Sequence, residues 1–409
     1  MVKAVDLVLS QAEIDSLCSM VRLDSINEPS LDYFASLAWS VVCEPGDAFA
    51  GQLVSTFGAA RSLELEIHRT SANDYASLFA EAGSDWLELQ KFGRFEKTLN
   101  DARERWTPRL TTAGVKKAIQ EMSNLKGWFI AQQSPYWPTP LDDLGNHAPR
   151  GLWGIGNPEP CTSRMISVVG SRVATTYGEF ATGEVLGPLV MRGYSVVSGG
   201  AYGIDSSAHR ATVAMEGSTI AVMAGGLDRL YPSGNRDLFK AISEQGAVVS
   251  EMPPGAEPTK WRFLQRNRLI AALGQATIVV EANTRSGAVS TANRAIELER
   301  PLGAVPGPID SPGSDGCHQL IRDNKAQLIT CSDDILEMLG ANTIDSKIEA
   351  AGLGALEHRV LDVIGFSAAE IARICAEGGL TRSEAELGIA GLSLLGVIEQ
   401  DSLGWRRRH

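Results

Sequence analysis

The segment Lys260–Arg268 places four cations and two aromatic rings within nine residues, in the order Lys-Trp-Arg-Phe-Leu-Gln-Arg-Asn-Arg. Cations that follow phosphates and rings that stack on bases are the usual means of holding a single nucleic-acid strand. Cations are also disfavoured near a helix start unless an anion joins them. The segment therefore predicts a single-strand binding site, and a solvated helix start with a core Trp is the alternative.

Two glycine-containing turns could supply phosphate-binding groups. Gly170 in Gly170-Ser171-Arg172 lets backbone N–H groups approach an anion at the next helix start, and Arg172 can hold a phosphate through two parallel hydrogen bonds. The second turn begins Ser198-Gly199-Gly200 and continues to Asp205. It is not G-x-G-x-x-G, and no acidic residue about 20 positions on would bind a ribose, so the pattern argues against a dinucleotide site. Tight packing alone is the other interpretation of both turns.

Ser286-Gly287 opens a further helix after the fifth predicted strand and could add N–H donors to the same site. Catalytic interpretations also exist, because Asp205 and His209 are spaced i, i+4 and Glu281 could act as a hydrolytic base. An Asp near a helix start, a locally packed His and a structural Glu explain the same residues more simply. We predict no catalytic residue, metal or cofactor.

These motifs must be positioned by a sheet, because short apolar runs alternate with helical segments from Arg164 onwards. Runs that are apolar at almost every position are typical of parallel strands covered on both faces. The predicted strands are Met165–Val169, Ser195–Ser198, Thr219–Ala224, Ala247–Ser250, Thr277–Val280, Gly303–Pro306 and Gln327–Thr330. Helices are predicted at Gly178–Arg192, Gly203–Glu216 and Ser286–Arg300. The pattern predicts a Rossmann-like, doubly wound, mostly parallel α/β sheet with its ligand beyond the carboxyl ends of the strands.

Other segments flank this sheet. Residues 1–110 show helical spacing, for example from Leu31 to Trp39 and from Phe49 to Leu65 around Gly58. The Pro- and Gly-rich stretches after Pro135 and Ala148 predict an extended linker. Near the other end, three predicted helices and a hairpin have the outline of a winged helix. They span Glu357–Ile364, Ala368–Ala376, Thr381–Leu395 and Val397–Arg406.

The net charge of −12 is unusual for a protein that binds phosphates, but it is unevenly distributed. Residues 1–110 hold 10 Lys and Arg against 17 Asp and Glu, whereas residues 161–340 hold 16 against 18. A local basic groove in the central domain is therefore compatible with the total. The six cysteines form no C-x-x-C pair, no apolar run is long enough to span a membrane, and no signal peptide is evident, so we expect a cytoplasmic protein.

The motifs, in this order, resemble the DNA processing protein A family (DprA, also called Smf) over residues 135–340. The resemblance is carried by Val-Gly-Ser-Arg172, Ser-Gly-Gly-x-x-Gly-Ile-Asp205 with Ala-His209, Gly226-Leu-Asp-Arg-Leu-Tyr-Pro232, Ser-Glu251, Phe263-x-x-Arg-Asn-Arg268, Glu-Ala282, Ser-Gly287 with Thr-Ala292, and Val-Pro-Gly307. Leu264 stands where the family often has Pro, and Gly200 where it often has Leu. Neither departure removes a cation.

The resemblance implies a non-enzymatic recombination mediator that binds and protects incoming single-stranded DNA, forms a homodimer through its Rossmann-like domain, and helps load the RecA recombinase during natural transformation. Single-strand binding protein is a further partner that it suggests. It implies a DNA pocket around Arg172, Lys260, Phe263, Arg266 and Arg268. Together with the turns, the predicted DNA-binding set is Gly170, Ser171, Arg172, Ser198, Gly199, Gly200, Lys260, Phe263, Arg266, Asn267, Arg268, Ser286 and Gly287.

The resemblance also suggests domain boundaries. Residues 1–134 form a diverged helical domain of the SAM or helix-hairpin-helix type, 135–340 the DNA-binding core, 341–354 a linker and 355–409 the winged helix. Two other functions remain open. A nucleotide-processing enzyme is one, although the Pro-Gly-Gly-x-Gly-Thr-x-x-Glu signature of the similarly folded cytokinin-activating phosphoribohydrolases is absent. A sensor of free nucleotide is the other, although one nucleotide needs fewer cations than this segment offers.

Overall fold

The computed structural model describes residues 7, 9–23, 30–83, 95–340, 353–364, 368–401 and 404–407. The chain divides into two compact units, Met1–Thr330 and Cys331–His409. None of the described helices is both long enough and apolar enough to cross a bilayer.

Among the residues that the structure describes, seven helices precede the sheet in the first unit. They are α1 (Gln11–Ser19), α2 (Ser30–Val42), α3 (Ala48–Phe57), α4 (Ala59–Ile67), α5 (Ala72–Glu81), α6 (Phe95–Trp106) and α7 (Thr112–Asn124). Helix α2 is buried along most of its length and contributes Tyr33 and Trp39 to the core. The predicted helical pattern from Phe49 to Leu65 is two helices, because Gly58 has a φ of +79° and ends α3 before α4 begins.

Nine strands of the described ranges form one sheet in the order β1-β2-β6-β5-β4-β3-β7-β8-β9. They are β1 (Trp128–Ile130), β2 (Leu152–Gly156), β3 (Met165–Val169), β4 (Ser195–Ser198), β5 (Thr219–Met223), β6 (Ala247–Ser250), β7 (Ala276–Val279), β8 (Leu302–Ala304) and β9 (Gln327–Leu328). All pairs from β6 to β9 are parallel, whereas β1 and β2 are antiparallel to their neighbours. The predicted strands and mostly parallel α/β fold are confirmed.

Helices cover both faces of the sheet. They are α8 (Thr176–Met191), α9 (Ile204–Ala214), α10 (Arg236–Gln245), α11 (Lys260–Leu273), α12 (Gly287–Glu297) and α13 (Asp315–Arg322). Alternate residues of β5 belong to different cores: Ala221 packs with α10 and the N-terminal helices, and Val222 packs with α11 and α12. Burial on both faces explains why these strands are apolar at successive positions.

The predicted linker around Pro135 and Ala148 is wrong. Trp137 and Trp153 from these stretches are buried, and β2 extends the sheet. The glycines serve close packing: a Cβ at Gly154 would come 2.0 Å from the Trp128 ring, and one at Gly151 would come 2.0 Å from the Phe129 ring. Composition alone does not distinguish glycines that make room for rings from glycines of a linker.

The second unit contains α14 (Ser332–Met338), α15 (Ala355–Val363), α16 (Ile371–Gly378) and α17 (Arg382–Leu394), followed by the hairpin strands β10 (Ile398–Asp401) and β11 (Gly404–Arg407). Val360, Ile374 and Leu392 lie in its own apolar core. The helices and the hairpin lie where the sequence predicts them, and their identity as a winged helix stays a prediction. Except for its last two residues, the predicted linker 341–354 lies outside the described residues.

Candidate nucleic-acid interface

A cleft of about 920 Å³ lies beyond the carboxyl ends of β3 and β7. The chain leaves β3 towards β4 on one side, while β7 pairs with β3 on the other. A crevice at such a reversal of strand order is the usual ligand site of doubly wound sheets. Nine of the predicted residues line it: Gly170, Ser171, Arg172, Lys260, Phe263, Arg266, Asn267, Ser286 and Gly287. Ser198, Gly199, Gly200 and Arg268 lie outside the lining.

Helix α11 presents one face to this cleft. Successive residues of an α-helix are rotated by about 100°, so Lys260, Phe263 and Asn267 share a face. Arg268 is rotated by about 140° from Phe263 and points elsewhere. The Thr259 hydroxyl caps the helix by accepting a hydrogen bond from the N–H of Arg262, and no acidic residue lies in the first turn. Lys260 therefore stands exposed at a helix start without a local counter-charge.

Three exposed cations of the cleft have no ion-pair partner within the described parts of the chain: Arg172, Lys260 and Arg285. Arg172 has its guanidinium carbon 5.7 Å from the centre of the Phe263 ring, on which Arg266 also lies at 5.8 Å. The ring of Tyr231 meets Phe263 edge-on at 5.7 Å. The arrangement thus joins unneutralised positive charge to a partly exposed aromatic ring.

Arg285 was missed by the sequence reasoning, although it immediately precedes Ser286. Ser286 is the N-cap of α12, and its hydroxyl accepts a hydrogen bond from the N–H of Val289 at 3.4 Å. Gly287 has nothing within 4 Å of the position of a Cβ, so the helix start is open to the cleft. The sequence does contain a signal for Arg285, because it places a cation directly before a predicted helix start. A cation and a helix N-terminus both attract an anion.

The second predicted phosphate cradle already holds an anion, and that anion is Asp205. Its Oδ2 accepts hydrogen bonds from the N–H groups of Gly199 and Ala201 at 3.2 and 3.4 Å, and the N–H of Gly170 also contributes. The Ser198 hydroxyl donates to the carbonyl of Val168. Gly200 has a φ of +65°, and a Cβ there would come 2.6 Å from the Phe239 ring. The structure therefore gives this turn an internal partner in place of the predicted phosphate.

Arg266 and Arg268 are buried and bound within the protein. Arg266 donates to the backbone carbonyls of Gly199 and Val222, so it joins the ends of β4 and β5. Burial lowers the pKa of Arg266 to about 10, Asp205 opposes that shift, and Arg172 adds to it. Arg268 donates to both carboxylate oxygens of Glu251, at 2.7 and 2.8 Å. Contrary to the expectation that all five motif residues meet at one edge, Arg268 is held away from the cleft.

The acidic and imidazole groups near the cleft are engaged in structural contacts. His209 is fully buried and its Nδ1 lies 2.7 Å from the Thr219 hydroxyl, and burial lowers its pKa to about 3. Burial raises the pKa of Asp205, which the backbone N–H groups and Arg266 oppose. Glu281 accepts hydrogen bonds from the N–H and the hydroxyl of Thr175, the N-cap of α8. No cluster of three His, Cys, Asp or Glu suited to a metal occurs in the described ranges.

Comparisons with known proteins agree with the motifs. The model of the family described as DNA recombination-mediator protein A matches residues 128–340, about half of the chain. A Mycobacterium tuberculosis protein described as a DNA processing protein DprA is 42% identical over 269 residues, which are 64% of this chain and 69% of that protein. The DNA processing protein DprA of Streptococcus pneumoniae is 41% identical over 200 residues, 49% of this chain and 70% of the relative. The X-ray structure of DNA processing protein A from Streptococcus pneumoniae aligns with a TM-score of 0.57 at 30% identity, covering 76% of this chain and 98% of the other.

Proposed function

This chain belongs to the DNA recombination-mediator protein A family, and from that membership we propose that it binds single-stranded DNA in the cleft between β3 and β7 without altering it chemically. One observation carries the proposal. Arg172, Lys260 and Arg285 line a single cleft together with the Phe263 ring and the open start of α12, and Arg172 lies over that ring. Unpaired cations provide phosphate contacts, and an accessible ring provides a sequence-tolerant surface for a base.

The absence of chemistry on the DNA is part of the proposal. Its support is that the residues with catalytic potential are already engaged: Asp205 with backbone N–H groups, His209 with Thr219, and Glu281 with Thr175. A general base must reach the proton that it removes. A fully buried imidazole whose pKa is about 3 is unsuited to that role at neutral pH.

Competition binding tests the proposal. We expect a labelled single-stranded oligonucleotide, followed by fluorescence anisotropy, to be displaced by unlabelled single strands but only weakly by duplex or by mononucleotides. Several phosphates bound together should outcompete a single one, because each adds counterion release. Displacement by a mononucleotide as effective as by the oligonucleotide would instead identify a nucleotide sensor using the same cleft.

We further propose that the protein acts in the cytoplasm as a homodimer that delivers protected single strands to RecA, in the presence of single-strand binding protein, during DNA uptake. The support is the family membership together with the cleft. Strand exchange by RecA on single strands coated with single-strand binding protein should be accelerated by the full chain. The proposal of delivery fails if the protein binds DNA yet leaves the rate unchanged, and sedimentation would report the dimer separately.

A further inference from the structure

A second cavity, of about 340 Å³, adjoins the cleft across the start of α9. Its lining includes Glu179, Tyr202, Gly203 and Arg210. Gly203 belongs to this lining and Arg172 to the cleft, and the two are in contact: a Cβ at Gly203 would come 2.1 Å from the carbonyl oxygen of Ser171 and 2.7 Å from the carbonyl carbon of Arg172. The two cavities therefore share a wall.

Two exposed aromatic rings, Tyr231 and Tyr202, lie near the cleft and at the second cavity respectively. Phe263 in the cleft meets Tyr231, which is 51% exposed. Residues 232–234 lead from Tyr231 to the turn beside Tyr202, which is 49% exposed. The Tyr202 hydroxyl lies only 2.5 Å from the position of a Cβ on Gly234, so the ring is held against this turn. Accessible rings in succession are the platform on which adjacent bases of one strand stack.

Arg210 supplies the cation of the second cavity. It lies on α9, is exposed, and makes no ion pair with any residue of the described ranges. Glu179 on α8 lines the same cavity and is the opposing charge. Both residues are described by the structure, and no salt bridge joins their side chains. A phosphate beside Arg210 would therefore replace no internal partner, although it would be repelled by Glu179.

We propose that this cavity is an outer subsite of the DNA groove, in which one further nucleotide stacks on Tyr202 and places its phosphate at Arg210. The inference rests on the proposed function and extends it, because it gives the bound strand a direction out of the cleft across Tyr231. A strand too short to leave the cleft would not reach the outer subsite. Strand length is thus the variable that separates the two sites.

The test compares oligothymidylates of about four and about twelve nucleotides, a length at the lower end of common single-strand site sizes and one well within their range. Tyr202→Ala should weaken binding of the longer strand about five-fold or more, the lower end of what one stacked base contributes. Arg210→Ala should weaken it as well and reduce the salt slope by about 0.7. Both variants should bind the shorter strand as the unaltered protein does, whereas Arg172→Ala should weaken both lengths.

Two further variants control for a general loss of positive charge and for misfolding. Lys240→Ala removes an exposed cation of α10 that lies outside both linings and has no ion pair with any described residue, and it should change neither affinity. Glu179→Gln should strengthen binding of the longer strand, a gain that misfolding cannot produce. Equal losses for both lengths, or no loss with Tyr202→Ala and Arg210→Ala, would overturn the outer subsite. If the unaltered protein binds neither strand, the proposed function itself fails.

Discussion

The four cations of the Lys260–Arg268 segment have four different environments. Lys260 is exposed at the cleft, and Arg262 donates to both carboxylate oxygens of Glu44 at 3.0 and 2.7 Å. Arg266 binds strand-end carbonyls, and Arg268 binds Glu251. A cation already paired in the interior has little to offer a phosphate, so the residues expected to bind DNA and those expected to hold the fold can be separated experimentally.

Arg172→Ala should weaken DNA binding, whereas Arg268→Ala should destabilise the fold. Arg172 is exposed and unpaired among the described residues, so its loss should lower the single-strand salt slope by about 0.7 with little change in stability. Arg268→Ala leaves Glu251 largely buried without its partner and should cost about 3–5 kcal/mol of unfolding free energy. Chemical denaturation and anisotropy on the same samples measure both quantities.

One result for Arg268→Ala would contradict its assignment to the protein interior. If Arg268→Ala remains as stable as the unaltered protein and loses one phosphate equivalent of slope, Arg268 contacts DNA directly and the assignment from the buried ion pair is wrong. The conservative variant Arg268→Lys should recover part of the stability, because one hydrogen bond to Glu251 can be retained while the fork geometry is lost.

Phe263→Ala should remove a stacking surface for a base. The expected loss is about 1–3 kcal/mol of binding free energy with an unchanged salt slope, because no charge is removed. Trp261→Ala is the matched control: this ring is exposed on the same helix but lies outside the cleft lining. Anisotropy titrations at several salt concentrations would measure both effects. Equal losses for the two variants would contradict a specific platform at Phe263.

At the scale of elements, helix α9 is anchored to the sheet by two buried polar side chains. Asp205 near its start holds the Gly199 turn, and His209 one turn later contacts Thr219 on β5. The Thr219 hydroxyl donates to the carbonyl of Val196, so it accepts from His209, whose proton is therefore on Nδ1. Burial, aided by the nearby charge of Arg266, lowers the pKa of His209 to about 3, because protonating Nε2 would create a second buried cation.

The depressed pKa of His209 predicts acid sensitivity. Below pH 6.5 the unfolded chain binds a proton at this ring that the folded chain does not, so stability is lost as pH falls, by about 1.4 kcal/mol per pH unit until about pH 3. His209→Asn keeps a donor for Thr219 but cannot titrate. Denaturation between about pH 6.5 and pH 5 should show a flatter pH dependence for the variant, by about 2 kcal/mol over this interval. Parallel curves would show that His209 binds a proton as readily in the folded protein as in the unfolded chain, so that its pKa is not lowered.

The sequence predicts the central elements well because each leaves a local signature. Strands such as β3 are short runs buried on both faces, and turns such as Gly170-Ser171-Arg172 follow them directly. The partners of the cations leave no such signature: Glu44 is 218 residues from Arg262. Asp205 could have been recognised as the anion of its own turn, since an acidic residue two positions after Gly203 can fold back on the preceding N–H groups. The rotation per helical residue also predicts from the sequence that Arg268 points away from the face of Phe263.

At the scale of the whole molecule, the net charge of −12 does not determine the charge of the cleft. Four cations and one buried carboxylate line it, whereas Glu44 from the N-terminal helical region pairs with Arg109 and Arg262 elsewhere. Local potential rather than total charge governs where a polyanion binds. Because the rest of the protein is acidic, DNA binding should be especially sensitive to the loss of any single cleft cation.

Deleting residues 355–409 should leave single-strand affinity largely intact. All residues that line the cleft belong to the unit Met1–Thr330, and the deleted residues belong to the unit with its own apolar core. The truncated chain should keep its far-ultraviolet circular dichroism for the remaining elements and its salt slope. If a folded truncation loses binding, the predicted winged helix is the principal DNA site.

Salt dependence tests the central claim most directly. The account predicts that the full chain binds a strand too short to reach Arg210 with a slope of log affinity against log salt near −2, because three unpaired cleft cations each release about 0.7 counterion. Replacing Arg172, Lys260 and Arg285 together with Ala should nearly abolish that slope, and replacing the exposed Lys97, Lys240 and Arg322 outside the cleft should not. An affinity insensitive to salt, or an unchanged slope in a folded triple cleft variant, would contradict binding of DNA at this cleft.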